Sequence, residues 1–452
     1  MEITRHFVDV GSRRVHYRRA GKGPPLLLAH QSPRSSAEYE SLIRQWAEHF
    51  TCIAPDTPGF GQSDPLPIDD PTIDDFADAM LGFLDAVGLG RVGGYGFHSG
   101  GIILVTALRK QPQRFSALAI GGYAIWTPQE MAAFSQSYLP PFRPSAYGEH
   151  LIWLWNRILE QTWFFPWYDV RPGARLRMAH DDPARVDTVI REMLDSGDAY
   201  RAGYGAVLRA PRDIPSADEP TPPVLITAYD GDPLQAHIDR LGELPPNWTA
   251  QKVATPAAHQ AASLDFLRQH SAPAVERIAE TGAEGFRRIS VEGFDGMIHW
   301  RGTPGEAVAL HGPGRALELL AAGGPFAIDL PGHGLSDSWA GLAPTEWDAW
   351  RQVVTAMAGD APIRAELAPR GDPARLFPDL SPDRFGAYLI RAWSIVRARH
   401  LFDPWYEASP ATAIDFDPAA LKPARLAVEH RALLRATAAR ELAIALQSKG
   451  EG

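Results

Sequence analysis

The sequence predicts an α/β protein, in which a parallel sheet with crossover helices is followed by a shorter second copy of the same arrangement. Two observations lead to this prediction. Short apolar runs alternate with helical patterns through the first hundred residues, and the opening of the chain recurs from about residue 285. Buried strands that alternate with amphipathic helices are typical of parallel sheets. The 452 residues are enough for about two or three domains.

The predicted elements follow one another in a regular order. Residues 14–18 alternate like a strand, and Pro25–Ala29 and Thr51–Pro55 are short apolar runs that suit buried strands. The second run leads into the glycine-rich turn 58–61, and residues 74–89 carry apolar side chains at helical spacing. The order indicates strand, strand, strand, turn and helix.

An internal repeat divides the chain. Residues 56–64 match residues 329–337, which lie 273 positions later, and residues 151–168 match residues 389–406, which lie 238 positions later. The second copy therefore lacks 35 residues between these two blocks. We predict a first domain over 1–282 and a truncated, degenerate second domain over 283–452.

The motifs of the first copy follow each other in an informative order. His30 begins a loop after the predicted third strand, a Gly-Phe-His-Ser-Gly-Gly segment spans 96–101, Asp232 follows an apolar run, and His259 comes later. This order resembles the α/β-hydrolase superfamily over about residues 5–280, and again over about 285–440 in shortened form. The resemblance implies an α/β-hydrolase fold with an oxyanion loop, a nucleophile elbow and a helical cap over about 126–212.

The elbow departs from the usual pattern because its apex is a histidine. The turn needs small residues two positions before and two positions after the apex. His98 has Gly96 and Gly100 at those positions, whereas Ser99 would have the bulky Phe97 before it. The spacing places His98 at the apex, and the segment is similar to a subgroup of hydrolase-like sequences with a G-x-H-T-G elbow.

The predicted catalytic residues are His98, Asp232 and His259. We expect Asp232 to accept a hydrogen bond from His259, and His259 to face His98 across a gap for a water or a reacting atom. Such a site suits general-base hydrolysis, or C–C or C–O cleavage, of a small and partly apolar carbonyl compound. The backbone N–H groups of Ser99 and Gln31 are the candidate oxyanion donors.

The other candidate residues surround this site. His30 is expected to orient the oxyanion loop, Ser32 to lie in that loop, and Arg34 either to meet an acidic substrate or to form a salt bridge. A metal held by His30, His98 and His259 is a weaker alternative, so no metal and no cofactor are predicted. Three other hypotheses stay open: an inactive ligand-binding protein, a serine hydrolase that uses Ser99, and a scaffold whose second copy recruits a partner.

The second copy has no recognisable catalytic residues. The segment 365–371 stands where the elbow belongs and offers no apex, and neither the acid nor the final histidine has a counterpart. An aromatic block of the cap nevertheless recurs in both copies. It predicts a cap core, or an interface between the caps, and the second copy would then replace a second subunit as an intramolecular pseudo-dimer. A further homo-oligomer stays open.

Bulk properties exclude several classes of partner. The net charge is −10, the pI is near 5.8, and no basic run is present, so neither nucleic acid nor an anionic membrane is an expected partner. The single Cys52 excludes an intramolecular disulfide. The first ten residues lack the apolar stretch of a signal peptide. We expect a cytoplasmic protein that binds a small-molecule substrate.

Overall fold

The computed structural model of the chain describes residues 1–275, 278–279, 282–305, 307–321, 323–365 and 369–449. The chain forms two compact units. Unit 1 comprises Met1–Phe142, Arg157–Asp181 and Thr188–Gly282, and unit 2 comprises Arg143–Asn156, Asp182–Asp187 and Ala283–Gly452. Two segments of the predicted cap therefore belong to unit 2.

Within the described residues of unit 1, eight strands form one sheet in the order β1-β2-β4-β3-β5-β6-β7-β8. The strands are β1 (Thr4–Val10), β2 (Arg13–Ala20), β3 (Pro25–Ala29), β4 (Thr51–Pro55), β5 (Val92–Phe97), β6 (Phe115–Gly121), β7 (Val224–Tyr229) and β8 (Trp248–Val253). Strand β2 is antiparallel to β1 and β4, and the pairs from β4 through β8 are parallel. Because parallel strands are covered on both faces, β3 and β4 are apolar and buried throughout.

Helices cover the two faces of this sheet and form the cap. They are α1 (Glu40–Trp46), α2 (Ile73–Ala86), α3 (Ser99–Lys110), α4 (Pro128–Ser137), α5 (Glu149–Gln161), α6 (Pro183–Ser196), α7 (Tyr200–Leu208) and α8 (Pro256–Gln269). One apolar cluster joins the sheet to α2 and α3, and another joins it to α1 and α8. The predicted helix over 74–89 thus begins at Ile73, where Thr72 and Asp75 form a capping box.

Unit 2 contains a smaller sheet. Its strands are β9 (Glu284–Val291), β10 (Phe294–Arg301), β11 (Val308–Leu310), β12 (Phe326–Ile328) and β13 (Ile363–Ala365). Its remaining helices are α9 (Trp347–Ala358), α10 (Pro373–Leu376), α11 (Ala387–Ala398), α12 (Pro423–Arg435) and α13 (Ala439–Lys449). The order β9-β10-β12-β11-β13, with two antiparallel pairs followed by parallel pairs, is the order and direction of β1-β2-β4-β3-β5.

Each of the two sheets contains an equivalent buried polar contact. His16 Nδ1 pairs with Asp56 at 2.9 Å, and His299 Nδ1 pairs with Asp329 at 2.7 Å. Each aspartate follows the strand that lies beside its histidine's strand, so both pairs tie the same two strands together. Strand β13 occupies the position of β5, but residues 366–368, which were predicted to lack an apex, fall outside the described residues.

No helix in the described part of the chain is both long and apolar enough to cross a lipid bilayer.

Candidate active site

A strained turn joins β5 to α3. Within the described part of the chain, His98 is the one residue other than glycine with a positive φ, at 48°. A Cβ on Gly96 would lie 2.7 Å from the carbonyl carbon of Gly100, and a Cβ on Gly100 would overlap the carbonyl oxygen of Ala29. The backbone can therefore turn here only with glycine on both sides, which is the spacing that placed His98 at the apex.

The side chain of His98 reaches directly to Asp232, which follows β7. Nε2 of His98 lies 3.0 Å from Oδ1 of Asp232, and the N–H of Leu234 donates to the same oxygen at 2.8 Å. The Asp232 side chain is fully buried, while His98 is 21% exposed. Burial by itself raises the pKa of Asp232, but the adjacent His98 and these hydrogen bonds bring the pKa below its ordinary value.

This contact fixes which nitrogen of His98 is free. An ionised Asp232 accepts a hydrogen bond, so Nε2 carries the proton and Nδ1 keeps its lone pair. Nδ1 makes no hydrogen bond to the described residues. A carboxylate that supports an imidazole with one free nitrogen is an arrangement that can accept a proton.

The expected hydrogen bond between Asp232 and His259 is not formed, and that prediction is wrong. Nε2 of His259 pairs with the Tyr95 hydroxyl at 2.8 Å, and Nδ1 pairs with the Thr227 hydroxyl. His259 lies in the first turn of α8 rather than on a loop before it. Because β8 ends at residue 253 and α8 begins at residue 256, no loop remains that could carry a histidine to Asp232.

His259 also does not present a free ring nitrogen to His98 as predicted, because both of its nitrogens are hydrogen-bonded to other residues. The Phe97 ring stacks on His98 with 4.1 Å between centroids and contacts His259 at 5.6 Å. His259 is buried, and burial lowers its pKa to about 4. His259 is therefore a neutral residue that links β5 and β7 through their side chains.

Hydrogen bonds with His30 and Glu38 fix the predicted oxyanion loop. Nδ1 of His30 donates to the Gln31 carbonyl at 3.0 Å, and Nε2 accepts from the Thr57 N–H at 2.9 Å. The Gln31 N–H donates to Glu38 at 2.7 Å, so the expectation that this N–H serves as an oxyanion donor is wrong. Burial raises the pKa of the Glu38 carboxyl to about 7.

Ser99 and Ser32 line the same cavity as His98. The Ser32 N–H donates to Ser99 Oγ at 2.8 Å, which leaves the Ser99 hydroxyl hydrogen available as a donor. Ser99 is the first residue of α3, so its backbone N–H is among those that a helix leaves unsatisfied. Both groups can donate to a developing negative charge.

Arg34 does not reach the site. Its guanidinium pairs with Glu192 and lies 3.8 Å from Glu38. Of the two alternatives left open by the sequence, the salt bridge is the one formed. A contact with an acidic substrate is not supported, because Arg34 does not line the cavity at His98.

A cavity of about 150 Å³ opens at His98. Its polar lining consists of Gln31, Ser32, His98, Ser99, Trp126, Tyr138, Gln161 and Tyr204. Its apolar lining consists of Ile102, Ala124, Phe134, Phe165, Leu176, Val207, Leu208, Pro233 and Leu234. A second cavity of about 480 Å³ shares Phe134 and Leu208 with it. The cap helices α4 and α7 contribute to the walls of both cavities, and α5 contributes Gln161 to the cavity at His98.

The cap side of the cavity offers hydrogen-bond donors. The indole N–H of Trp126 is buried and has no partner among the described residues. Arg157 holds the Gln161 carbonyl oxygen at 2.8 Å, which leaves the Gln161 amide N–H groups as donors. The hydroxyls of Tyr138 and Tyr204 lie 2.9 Å apart, so one of these two keeps a proton to donate. Burial raises the pKa of both phenols above the ordinary value, and they remain protonated.

These four cap residues were not predicted from the sequence. The predicted aromatic block lies between Trp153 and Tyr168, and of that block only Phe165 lines the cavity. Tyr138 and Tyr204 are 66 positions apart, and they meet only because α4 and α7 pack in the same cap. Within the described residues, no group of three or more His, Cys, Asp and Glu side chains is placed to hold a metal ion.

The sequence pattern of the family described as the alpha/beta hydrolase fold matches residues 24–261, just over half of the 452 residues. The chain belongs to the α/β hydrolase fold family. A haloalkane dehalogenase of Mesorhizobium japonicum is 30% identical over 242 residues, which are 51% of this chain and 68% of that protein.

Two further relatives of the family match over shorter stretches. Haloalkane dehalogenase 2 of Mycobacterium bovis is 33% identical over 135 residues, which are 29% of this chain and 47% of that protein. The chain thus spans about half the length of that relative. A soluble epoxide hydrolase of a Corynebacterium species is 46% identical over 63 residues, 14% of this chain and 22% of that protein.

The buried His259 predicts a loss of stability in acid. Its pKa is about 4 in the folded chain and about 6.5 in the unfolded chain, so the unfolded state binds more protons between these values. The free energy of unfolding should therefore fall as the pH falls through this window. His259→Gln should remove about 2 kcal/mol of the decrease between pH 7 and pH 5, measured by urea unfolding.

Tyr95→Phe is the control for this experiment. It removes the hydroxyl that pairs with His259 Nε2 but keeps the imidazole buried. It should lower stability at both pH values and retain the wild-type difference between them. Equal pH dependence in wild type and His259→Gln would contradict the assignment.

Proposed function

We propose that this chain is a cofactor-free hydrolase of a small, uncharged and partly apolar compound that carries an oxygen acceptor, such as an ester or an epoxide. One observation carries the proposal: His98, at the apex of the elbow, is hydrogen-bonded to Asp232 and lines a cavity of about 150 Å³. The names of the relatives, haloalkane dehalogenase and epoxide hydrolase, agree with a small substrate.

His98 is proposed as the general base. Its free Nδ1 takes a proton from a water molecule as the water oxygen bonds to the electrophilic carbon of the substrate. The C–O bond of the ester or the epoxide then breaks, and the imidazolium returns its proton to the oxygen that leaves this carbon. Asp232 stabilises the imidazolium that forms, since its carboxylate accepts the Nε2–H hydrogen bond. His259, predicted as a third catalytic residue, is proposed instead to hold the strands behind the site.

Donors on two sides of the cavity are proposed to stabilise the oxygen that becomes negative. Ser99 supplies its backbone N–H at the start of α3, where the helix dipole favours negative charge, and its hydroxyl. Tyr138 and Tyr204 supply a phenol from the cap, protonated at neutral pH. The oxygen of a carbonyl or an epoxide is an acceptor for either set.

The lining of the cavity favours an uncharged substrate. Among the described residues that line it there is no lysine, arginine or glutamate, and the polar ones besides His98 are neutral. Asp232 adds a buried negative charge beside it. A carboxylate bound there would lose its hydration without gaining a cation, which is costly in an apolar site.

We propose that unit 2 contains a degenerate copy of the same fold. The matching strand order and the corresponding His–Asp pairs support a common origin. The sequence 283–452 has no counterpart of Asp232, so we assign the chemistry to unit 1. We also propose a cytoplasmic location, since the single Cys52 is buried as a free thiol and suits a reducing compartment.

A second candidate is a ligand-binding protein of the same fold that does not turn over its ligand. One observation favours it: the chain lacks a histidine that bridges Asp232 to the apex residue, because His259 is held by Tyr95 and Thr227. A protein that binds small esters and epoxides without consuming them would support this candidate over the hydrolase.

The proposal predicts that His98 carries the activity. His98→Gln keeps a donor near Asp232 but has no basic nitrogen, and it should lower turnover by about 100-fold or more. Asp232→Asn should also lower turnover, because it no longer supports the imidazolium. The measurement is hydrolysis of p-nitrophenyl acetate and of styrene oxide by the full chain.

Two further variants separate the alternatives. Ser99→Ala should lower turnover less than His98→Gln does, since it removes the hydroxyl donor but leaves the backbone N–H and the base unchanged. His98→Ser should not create a serine esterase, because His259 does not reach the apex. Loss of turnover in Ser99→Ala together with full turnover in His98→Gln would show an ordinary serine hydrolase.

The unpartnered indole of Trp126 predicts a preference for ligands with an oxygen acceptor. Acetophenone should bind more tightly than ethylbenzene, which has a similar shape and no acceptor. Trp126→Phe should weaken acetophenone binding by about tenfold, the value of one hydrogen bond, and leave ethylbenzene binding unchanged. Titration calorimetry measures both.

Tyr168→Phe is the matched control. The Tyr168 hydroxyl is also buried without a partner among the described residues, but Tyr168 does not line the cavity. It should leave the binding of both ligands unchanged. Equal effects of Trp126→Phe on the two ligands would contradict a role for the indole N–H.

A further inference from the structure

Unit 2 contains two segments whose sequences correspond. Residues 146–155 read AYGEHLIWLW and residues 384–393 read RFGAYLIRAW, 238 positions later. The identical positions are Gly148 and Gly386, Leu151 and Leu389, Ile152 and Ile390, and Trp155 and Trp393. Both segments run from a turn into a helix, α5 in one case and α11 in the other.

The turns before the two helices are built by the same hydrogen bonds. The Gly148 N–H donates to the Ser145 carbonyl at 3.4 Å, and the Gly386 N–H donates to the Asp383 carbonyl at 3.2 Å. The side chains of Ser145 and Asp383 each accept the N–H five residues later, at 3.3 and 3.1 Å. The two segments therefore have the same local structure.

The two segments bind each other through reciprocal hydrogen bonds. The indole N–H of Trp155 donates to the Arg384 carbonyl at 3.2 Å. The indole N–H of Trp393 donates to the Ala146 carbonyl at 3.3 Å. Arg384 corresponds to Ala146 and Trp393 corresponds to Trp155, so each bond is the image of the other.

The packing around the two indoles is reciprocal as well. A Cβ on Gly386 would lie 2.5 Å from the Trp155 ring, and a Cβ on Gly148 would lie 3.1 Å from the Trp393 ring. Both glycines have positive φ, 86° at Gly148 and 68° at Gly386. The absence of a side chain on each glycine makes room for the tryptophan of the other segment.

An aromatic ring meets each indole edge to face. Trp155 contacts Tyr388 with 6.0 Å between centroids, and Trp393 contacts His150 with 4.9 Å. Tyr388 and His150 again correspond. Both tryptophans are buried, at 2% and 1% exposure, so these contacts form the centre of the surface rather than its rim.

We propose that this surface is a self-recognition motif, whose partner is a second copy of the same turn and helix. Each residue contacts the counterpart of the residue that contacts it, which is the definition of an isologous interface between identical subunits. Packing that arose without such a relation has no reason to be reciprocal at the hydrogen bonds, the glycines and the rings together. In this chain the second copy is supplied from within, by residues 384–393.

This proposal does not depend on the proposed chemistry. The reciprocal residues lie in unit 2, and none of them lines the cavity at His98. It explains why Trp155 of the aromatic block recurs as Trp393 in a copy without catalytic residues: the surface binds its own counterpart, and both halves must be kept. It also gives the C-terminal copy a function that needs no active site.

The test is a pair of crossed double-mutant cycles on the full chain. Gly386→Ala should lower the melting temperature by about 5 °C more than Gly88→Ala. Gly88 is the control because it is also a left-handed glycine, with a φ of 74° in the turn that ends α2, while a Cβ there would meet nothing within 4 Å. The additional loss of melting temperature in Gly386→Ala, relative to the control, should disappear when Trp155 is replaced by leucine. It should persist when Trp393 is replaced by leucine.

The mirror cycle should give the opposite pattern. The additional loss of melting temperature in Gly148→Ala should disappear with Trp393→Leu and persist with Trp155→Leu. It should be smaller than the loss in Gly386→Ala, because a Cβ on Gly148 would lie farther from the facing tryptophan ring. The proposal would be overturned if neither glycine variant exceeded the control, or if either tryptophan variant relieved both glycines equally.

If a leucine variant fails to fold, amide hydrogen exchange provides a second measurement of the same contacts. Trp155→Phe keeps an aromatic ring and removes one donor, so exchange should rise in the peptide that contains residues 384–389. Trp393→Phe should raise exchange in the peptide that contains residues 146–151. A change confined to each substituted segment, with none in the opposite one, would also overturn the proposal.

Discussion

The backbone turn at His98 is the constraint on which the rest of the site depends. A residue at positive φ between a strand and a helix projects its side chain away from both, above the carboxyl end of the parallel sheet. Asp232 leaves the sheet at the same edge, after β7. The imidazole is long enough to meet the carboxylate directly, so the apex residue and the acid form a pair without a third residue between them.

That direct pair removes the position a bridging histidine would occupy. The chain between β8 and α8 is only two residues long, and the nearest histidine, His259, is therefore part of the helix. There it forms a neutral link between Tyr95 and Thr227, and it contacts the same Phe97 ring that stacks on His98. The short connection and the histidine apex are consistent with each other. Because His98 meets Asp232 directly, no longer loop is needed to carry a second histidine to the carboxylate.

The fold and the apex could be predicted from the sequence because both depend on local patterns. Apolar runs give buried strands, and the spacing of Gly96 and Gly100 gives the turn. The partners of the site residues could not be predicted, because they depend on where side chains point after packing. Nothing near Gln31 in the sequence shows that Glu38 would take its N–H, and the Arg34–Glu192 pair joins residues 158 positions apart.

The two units share some contacts and differ in others, and the difference separates structural contacts from the proposed chemistry. The buried His–Asp pairs recur in both, as does the loop contact in which His30 or His311 accepts an N–H from the chain that follows the neighbouring strand. These contacts hold loops to strands and are needed wherever the sheet is built. The sequence 283–452 has no counterpart of Asp232, whereas Gly148 and Trp155 recur there as Gly386 and Trp393. On our proposal that unit 2 contains a degenerate copy, that copy was under a constraint to fold and to keep its pairing surface, and under none to catalyse.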